Sequence, residues 1–104
     1  MGECIVSRLV ARIGDRTIGT CFAHDPPITV GGTIISGSPN KTTNTKPTAR
    51  IGDKVRTDCG HIAEIVSGSP SLTADNKLVA RIGDKVSGIY IGEIITGSPD
   101  TTTA

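Results

Sequence analysis

The sequence predicts an all-β chain in which three β repeats close around a pseudo-threefold axis. Three observations carry that prediction. The pentapeptide Ala-Arg-Ile-Gly-Asp occurs identically at residues 11–15, 49–53 and 80–84. A β-branched run ending in Gly-Ser-Pro alternates with it, the tripeptide falling at residues 37–39, 68–70 and 97–99. No stretch carries helix periodicity, and thirteen glycines and six prolines oppose helix generally.

The runs before Gly-Ser-Pro are Thr33-Ile34-Ile35-Ser36, Glu64-Ile65-Val66-Ser67 and Glu93-Ile94-Ile95-Thr96. They read as short strands ending at a turn. The stretches that follow, NKTTNTKPT and SLTADNKLV, are rich in Thr, Asn and Lys and predict a second strand or turn pair. ADNK at residues 74–77 is turn chemistry, because Asp and Asn tolerate the left-handed region and hydrogen-bond their own backbone. Within the pentapeptide, alanine leaves room for close packing and glycine supplies a turn conformation. Its Arg and Asp are expected to form ion pairs or to cap backbone groups, as charge-assisted framework bonds and not as catalytic charges.

From Gly37 to Ala49 and from Gly68 to Ala80 the distance is 12 residues in both cases. From Ala11, Ala49 and Ala80 forward to the next Gly-Ser-Pro glycine it is 26, 19 and 17. The constant part predicts packed framework and the variable part predicts loops gathered at one end. A stacked solenoid wants a constant period, whereas the pentapeptides recur after 38 and then 31 residues. Closure around an axis accommodates unequal loops at one end, and it brings equivalent positions together near that axis.

Composition sets the limits on function. A chain of 104 residues fits one domain, 1–104, with repeats at about 9–39, 47–70 and 78–99. Only 36% of residues are apolar and Phe22 and Tyr90 are the aromatics, so a metal or a partner surface is expected to help hold the fold. A net charge of +1 with dispersed charges gives no nucleic-acid footprint. No apolar run is long enough for a membrane helix, and the N-terminal stretch lacks the pattern of a Sec signal peptide. Ser7 lies one place too far along for the myristoylation pattern. A reducing cytoplasm is the expected site of folding, where thiols more often bind metal than pair.

Four of the five Cys and His residues fall in the variable segments: Cys21 and His24 in CFAH, Cys59 and His61 in CGH. Two sulfur and two nitrogen ligands make a tetrahedral zinc set that would join loops of two repeats. The alternative is a set of unrelated surface histidines and small buried thiols. Cys4 lies outside the repeats and reads as a small buried hydrophobe, and Ser87-Gly88-Ile89-Tyr90 of the third repeat offers no evident ligand. A catalytic Cys–His pair would need an orienting third group and a substrate pocket, which two aromatics scarcely provide. No GxxxxGK[ST] phosphate loop is present.

The alternation of ARIGD and GSP resembles the PAAR-repeat family. Pro47-Thr48-Ala49-Arg50 comes closest to its Pro-Ala-Ala-Arg signature, and VGGTIISGSP at residues 30–39 strengthens the likeness, which runs from about Leu9 to Pro99. The copies at Leu9-Val10-Ala11-Arg12 and Leu78-Val79-Ala80-Arg81 keep only the second half of that signature. The resemblance implies a small conical β protein whose base binds the blunt end of a trimeric β-helical spike, one tip per trimer, and whose vertex holds one zinc ion, or iron in its place. It implies Cys59 and His61 as second-repeat ligands and His24 as the first-repeat histidine. Members usually draw a further ligand from the third repeat, which has neither Cys nor His here, so Cys21 stands in as the fourth.

The function implied is a structural tip for a contractile injection machine, a phage tail before a type VI secretion system. It is assembled in the bacterial cytoplasm and carried at the distal end of the tube. Contact with the target membrane would be mechanical, with no enzyme activity, nucleic acid or small-molecule substrate. The alternative is a type VI tip or an effector adaptor that links cargo to the spike. With about eight residues before the first repeat and DTTTA after Pro99, no fused toxin is expected. A metal-dependent hydrolase would need an open coordination position, against which four protein ligands argue.

Overall fold

Two kinds of turn, repeated three times, decide where this chain reverses. The computed structural model describes residues 8–69, 72–98 and 101–103. Cys4 and the prolines at 70 and 99 lie outside the described residues. In chain order the strands are β1 (Arg8–Leu9), β2 (Arg16–Cys21), β3 (Ile28–Ile34), β4 (Thr42–Thr43), β5 (Lys46–Pro47), β6 (Lys54–Thr57), β7 (Ile62–Ile65), β8 (Thr73–Ala74), β9 (Lys77–Leu78), β10 (Lys85–Gly88), β11 (Tyr90–Ile94) and β12 (Thr102–Thr103). No helix occurs among the described residues, so the all-β expectation holds.

Each repeat contributes one long hairpin: β2–β3, β6–β7 and β10–β11. The hairpins join edge to edge into a closed antiparallel barrel in the order β10, β11, β2, β3, β6, β7, with β7 returning to β10. Closure around an axis is therefore the arrangement adopted, and it leaves no free edge in the barrel. Register makes the repeats equivalent. Arg16 faces Thr33, Lys54 faces Glu64 and Lys85 faces Glu93 on corresponding rungs. Outward on these rungs Lys54 pairs with Glu64, and Lys85 with Glu93 at 3.2 Å. Inward, the strand alternation buries Thr17, Val55 and Val86, then Ile34, Ile65 and Ile94. The interior is narrow, and Tyr90 is its largest fully buried side chain.

The pentapeptide forms the turn that opens each hairpin. The amide of Asp15 donates to the Arg12 carbonyl at 3.1 Å, as do Asp53 to Arg50 and Asp84 to Arg81 at 3.0 Å. Gly14, Gly52 and Gly83 sit third in these turns with φ of +92°, +90° and +90°, which a type II turn demands and a side chain resists. The aspartates are almost fully buried, and each takes a bidentate grip on the arginine of its own turn. Each also accepts the amide proton of that arginine. The expected ion pair and the expected backbone cap are thus the same interaction.

The alanine has its own reason. The Ala11 amide donates to the Ala80 carbonyl at 2.9 Å, Ala80 to Ala49 at 2.9 Å, and Ala49 to Ala11 at 3.0 Å. Three backbones thus close a ring of hydrogen bonds on the axis, and all three alanines are wholly buried there. A larger side chain in the ring would have nowhere to go.

The Gly-Ser-Pro segments knit one repeat to another. Ser38, Ser69 and Ser98 donate backbone amides to Thr48, Val79 and Val10 at 2.8, 2.7 and 2.8 Å. This approach is so close that a Cβ on Gly37, Gly68 or Gly97 would meet a carbonyl oxygen at 3.0, 2.9 or 2.9 Å. The preceding hydroxyls cross between repeats as well. Ser36 donates to Asp53 at 3.1 Å, Ser67 to Asp84 at 3.0 Å and Thr96 to Asp15 at 3.0 Å.

Beyond Gly-Ser-Pro the chain makes a small hairpin, β4–β5 and then β8–β9. Asn44 and Thr45 turn the first with φ of 52° and 67°, and Asp75 and Asn76 the second with 52° and 64°. Two consecutive left-handed residues are the signature of a type I′ turn. The third small hairpin is assembled from distant parts of the sequence, with Thr102 opposite Leu9 and Thr103 opposite Arg8. Pentapeptides, Gly-Ser-Pro segments and small hairpins all lie at one end of the barrel, here the base. The strands run from it to an apex formed by residues 22–27, 58–60 and 89.

Candidate metal centre

At the apex between β6 and β7, Thr57 and His61 close a three-residue loop, 58–60. Thr57 donates its amide to the His61 carbonyl at 2.8 Å, and Gly60 donates to Thr57 at 2.9 Å. Gly60 has φ of +91°, the left-handed residue that lets a type I turn finish a three-residue hairpin loop. This geometry lifts Cys59 over the barrel mouth and returns His61 at the entry to β7. Thr57 holds both. Its hydroxyl accepts the His61 amide proton at 2.8 Å and lies 3.2 Å from the Cys59 sulfur.

The other half of the site comes from the β2–β3 hairpin. Cys21 ends β2, opposite Ile28 on one side and Tyr90 on the other, and is wholly buried. The longer connection across residues 22–27 carries His24 back over the same mouth. An exposed Arg16–Asp58 ion pair at 2.7 Å and an Asp58 amide bond to the Gly31 carbonyl at 2.9 Å tie the two hairpins together nearby.

The structure brings Cys21, His24, Cys59 and His61 together, with all four donor atoms within 4.8 Å of one another. Nδ1 of His61 lies 3.7 Å from the Cys21 sulfur and 3.4 Å from the Cys59 sulfur. The two imidazoles stand perpendicular, their centroids 5.6 Å apart. A tetrahedral ion bound at about 2.3 Å to sulfur and about 2.0 Å to nitrogen needs sulfur–nitrogen edges of about 3.6 Å. The observed separations bracket that value. Nε2 of His24 is buried without a hydrogen-bond partner, and a polar atom left in that state is costly unless an ion uses it. Geometry, donor set and orphaned nitrogen all fit a metal ion.

The thiols differ in character. The Cys59 thiol is pulled down to about 6, first by the Thr57 hydroxyl and then by the imidazoles of His61 and His24. Burial pushes the Cys21 thiol up, and the neighbouring Cys59 adds to that. Cys59 is thus the ready thiolate of the pair, while Cys21 lies deeper and favours its proton until a cation replaces it.

Every sequence-predicted ligand is found in the cluster, and Cys21 points inward, into it. Two contributors escaped the sequence reading. Thr57 is one, its only signal being its place two residues before Cys59. Tyr90 is the other. Counted back from Ile34, Ile65 and Ile94, it occupies the rung of Val30 and His61. The third repeat thus places a phenol where the second places an imidazole. Its hydroxyl lies 2.9 Å from Thr17 Oγ1 and donates to the Val30 carbonyl at 3.1 Å, plugging the barrel beneath the cluster.

A search of the curated proteins finds no match. A family model for the PAAR motif matches residues 24–88, a span that includes His24, Cys59 and His61 and all of the second repeat. That span is more than half of the chain, and with the three-hairpin barrel it shows that the chain belongs to the PAAR-motif family, the spike-tip proteins of contractile injection machines.

Proposed function

We propose that this chain caps and sharpens a trimeric β-helical spike, one chain per trimer, with its apex facing the target cell envelope. The observation that carries this reading is the cyclic hydrogen-bonded ring of Ala11, Ala49 and Ala80. One polypeptide presents three equivalent sides at its base, which suits the end of a threefold partner. Ile35, Val66 and Ile95 hold corresponding positions at that end and stay 45%, 50% and 47% exposed. Such a repeated apolar trio is the kind of surface a partner covers.

At the apex, Cys21, His24, Cys59 and His61 are the ligands of one zinc ion, with iron the alternative. Two thiolates and two imidazoles fill a tetrahedral shell, so the site is a structural cross-link between the first and second repeats and not an open catalytic position. Bound zinc supplies that link, and the residues supply its stiffness. Thr57 fixes the loop of Cys59 and His61, and Tyr90 fills the barrel below. When a sheath contracts, a rigid narrow apex concentrates force on the envelope without chemistry.

The test is co-purification with a candidate spike trimer together with metal analysis. One chain and one zinc per three spike subunits is the expected composition. Failure to bind any β-helical spike tip would remove the docking reading. Cys59→Ser is expected to lower zinc content and melting temperature together, and an unchanged value of both would remove the ligand assignment. We place the machine as a phage tail, with the chain recovered from purified virions. Recovery from a type VI secretion culture instead, with or without bound cargo, would move it to that system.

A further inference from the structure

The two cysteines assigned to the metal are also each other's neighbours at the apex. Their sulfurs lie within 4.8 Å of one another, and both thiols are free. A disulfide needs about 2.05 Å, so the sulfurs must close by less than about 3 Å. Cys21 is held at the end of β2, so that closure falls to the loop at residues 58–60. Exposure is unequal: Cys21 is wholly buried, whereas Cys59 is half-buried and reachable from outside. The hairpins carrying them belong to different repeats, and they are the same two hairpins that a metal ion would join.

We propose that the apex holds an exchangeable cross-link, in which metal joins Cys21 and Cys59 under reducing conditions and a Cys21–Cys59 disulfide replaces it under oxidising ones. The inference rests on the metal assignment above. The oxidant is a low-molecular-weight disulfide. Cys59, the more exposed of the two, loses its proton or its metal, attacks one of the oxidant's sulfurs and releases the first small thiolate. Cys21 then attacks the Cys59 sulfur and expels the second. Two protein thiols become one disulfide, the oxidant becomes two thiols, and the metal leaves because disulfide sulfur is not a thiolate ligand. His24 and His61 alone cannot complete its shell. A tip that passes from a reducing to an oxidising compartment keeps the same two hairpins tied in both.

The experiment uses the full chain carrying Cys4→Ser, so that two thiols remain, loaded with zinc and titrated with oxidised glutathione. Metal content is measured first, zinc release is followed with a chromogenic chelator, and products are mapped by mass spectrometry. The expected result is loss of both thiols to a Cys21–Cys59 bridge with release of one zinc per chain. In Cys21→Ser the reaction is expected to stop at a glutathione adduct on Cys59, and in Cys59→Ser the buried Cys21 is expected to stay free. A zinc-loaded chain that ends as a Cys59 adduct with Cys21 unreacted would overturn the exchange while leaving the metal assignment intact. A reduced chain that binds no zinc would overturn both.

Discussion

The buried arginine–aspartate turns allow one experiment to be run three times in a single molecule. In the third copy, Asp84 is 2% exposed and accepts from the Arg81 amide at 2.7 Å, Nε at 2.9 Å, Nη2 at 2.8 Å and the Ser67 hydroxyl at 3.0 Å. Replacing it with alanine leaves a guanidinium that is only 12% exposed, together with an amide and a hydroxyl deprived of their acceptor. Breaking a buried pair in this way costs about 3–5 kcal/mol. In a chain of this size that is about 12 °C or more of melting temperature. The second copy should suffer less. Arg50 keeps a second carboxylate, Asp75, at 3.2 Å after Asp53 is removed, and one charge-assisted bond offsets about 1–2 kcal/mol. Urea and thermal unfolding followed by circular dichroism, at fixed zinc, should therefore rank Asp84→Ala as more damaging than Asp53→Ala. Adding Asp75→Ala to Asp53→Ala should erase the difference. A loss below about 1 kcal/mol for Asp84→Ala is what an exposed pair would give, and it would refute the buried-turn argument. Equal losses at the two sites would refute the compensation.

Three further outcomes are expected. Gly52→Ala should cost about 1–2 kcal/mol, since φ is +90° while the nearest atom to a new Cβ is the movable Lys77 Nζ at 3.8 Å; a neutral change in urea midpoint would mean the turn is not type II in solution. Tyr90→Phe should lower the unfolding free energy from urea titration by about 1–2 kcal/mol through loss of the Thr17 and Val30 bonds, with zinc content unchanged; loss of zinc would instead make Tyr90 part of the site. Acid should destabilise the fold through Asp84. Burial alone raises its carboxyl, but the side-chain and backbone donors of Arg81 and the hydroxyl of Ser67 outweigh it, and the folded value is lowered. Stability from a lowered group is fully present above the unfolded value of about 3.9 and is lost as pH falls through the folded value. The wild type should therefore lose stability below about pH 4, and Asp84→Asn should show a flatter acid limb; identical limbs would exclude Asp84 as the cause.

Much of this molecule is legible in its sequence because the repeats report on one another. ARIGD reads as a framework turn, since a glycine and an opposite charge pair recurring together three times have few other uses. ADNK reads as a turn from the left-handed tolerance of Asp75 and Asn76. The apical cluster reads from the scarcity of Cys and His, which leaves few candidates to combine. What stays hidden depends on register or on closure. Thr57 is one threonine among many until the hairpin loop sets it beside Cys59. Tyr90 looks unrelated to His61 until β7 and β11 are aligned rung by rung. The third small hairpin cannot be seen in either of its halves, because Thr102 and Leu9 are neighbours only once the barrel has closed.

The division between a constant base and a variable apex has a mechanical cause. At the base every repeat depends on the next. Ser36 serves Asp53, Ser67 serves Asp84 and Thr96 serves Asp15, while the alanine amides pass hydrogen bonds around the same circle. A change of length in any one repeat would break its link to both neighbours, so the 12-residue spacing from Gly-Ser-Pro to the pentapeptide is held constant. Among the described residues no such circle exists at the apex. There two loops meet over a cluster and the third side is filled by Tyr90, so length can vary without disturbing the ring below. The consequence is a tip whose symmetry is strict at the end that would meet a threefold partner and relaxed at the end that carries the sulfur and nitrogen donors. An asymmetric donor set is compatible with a symmetric base because the six barrel strands lie between them and transmit only their register.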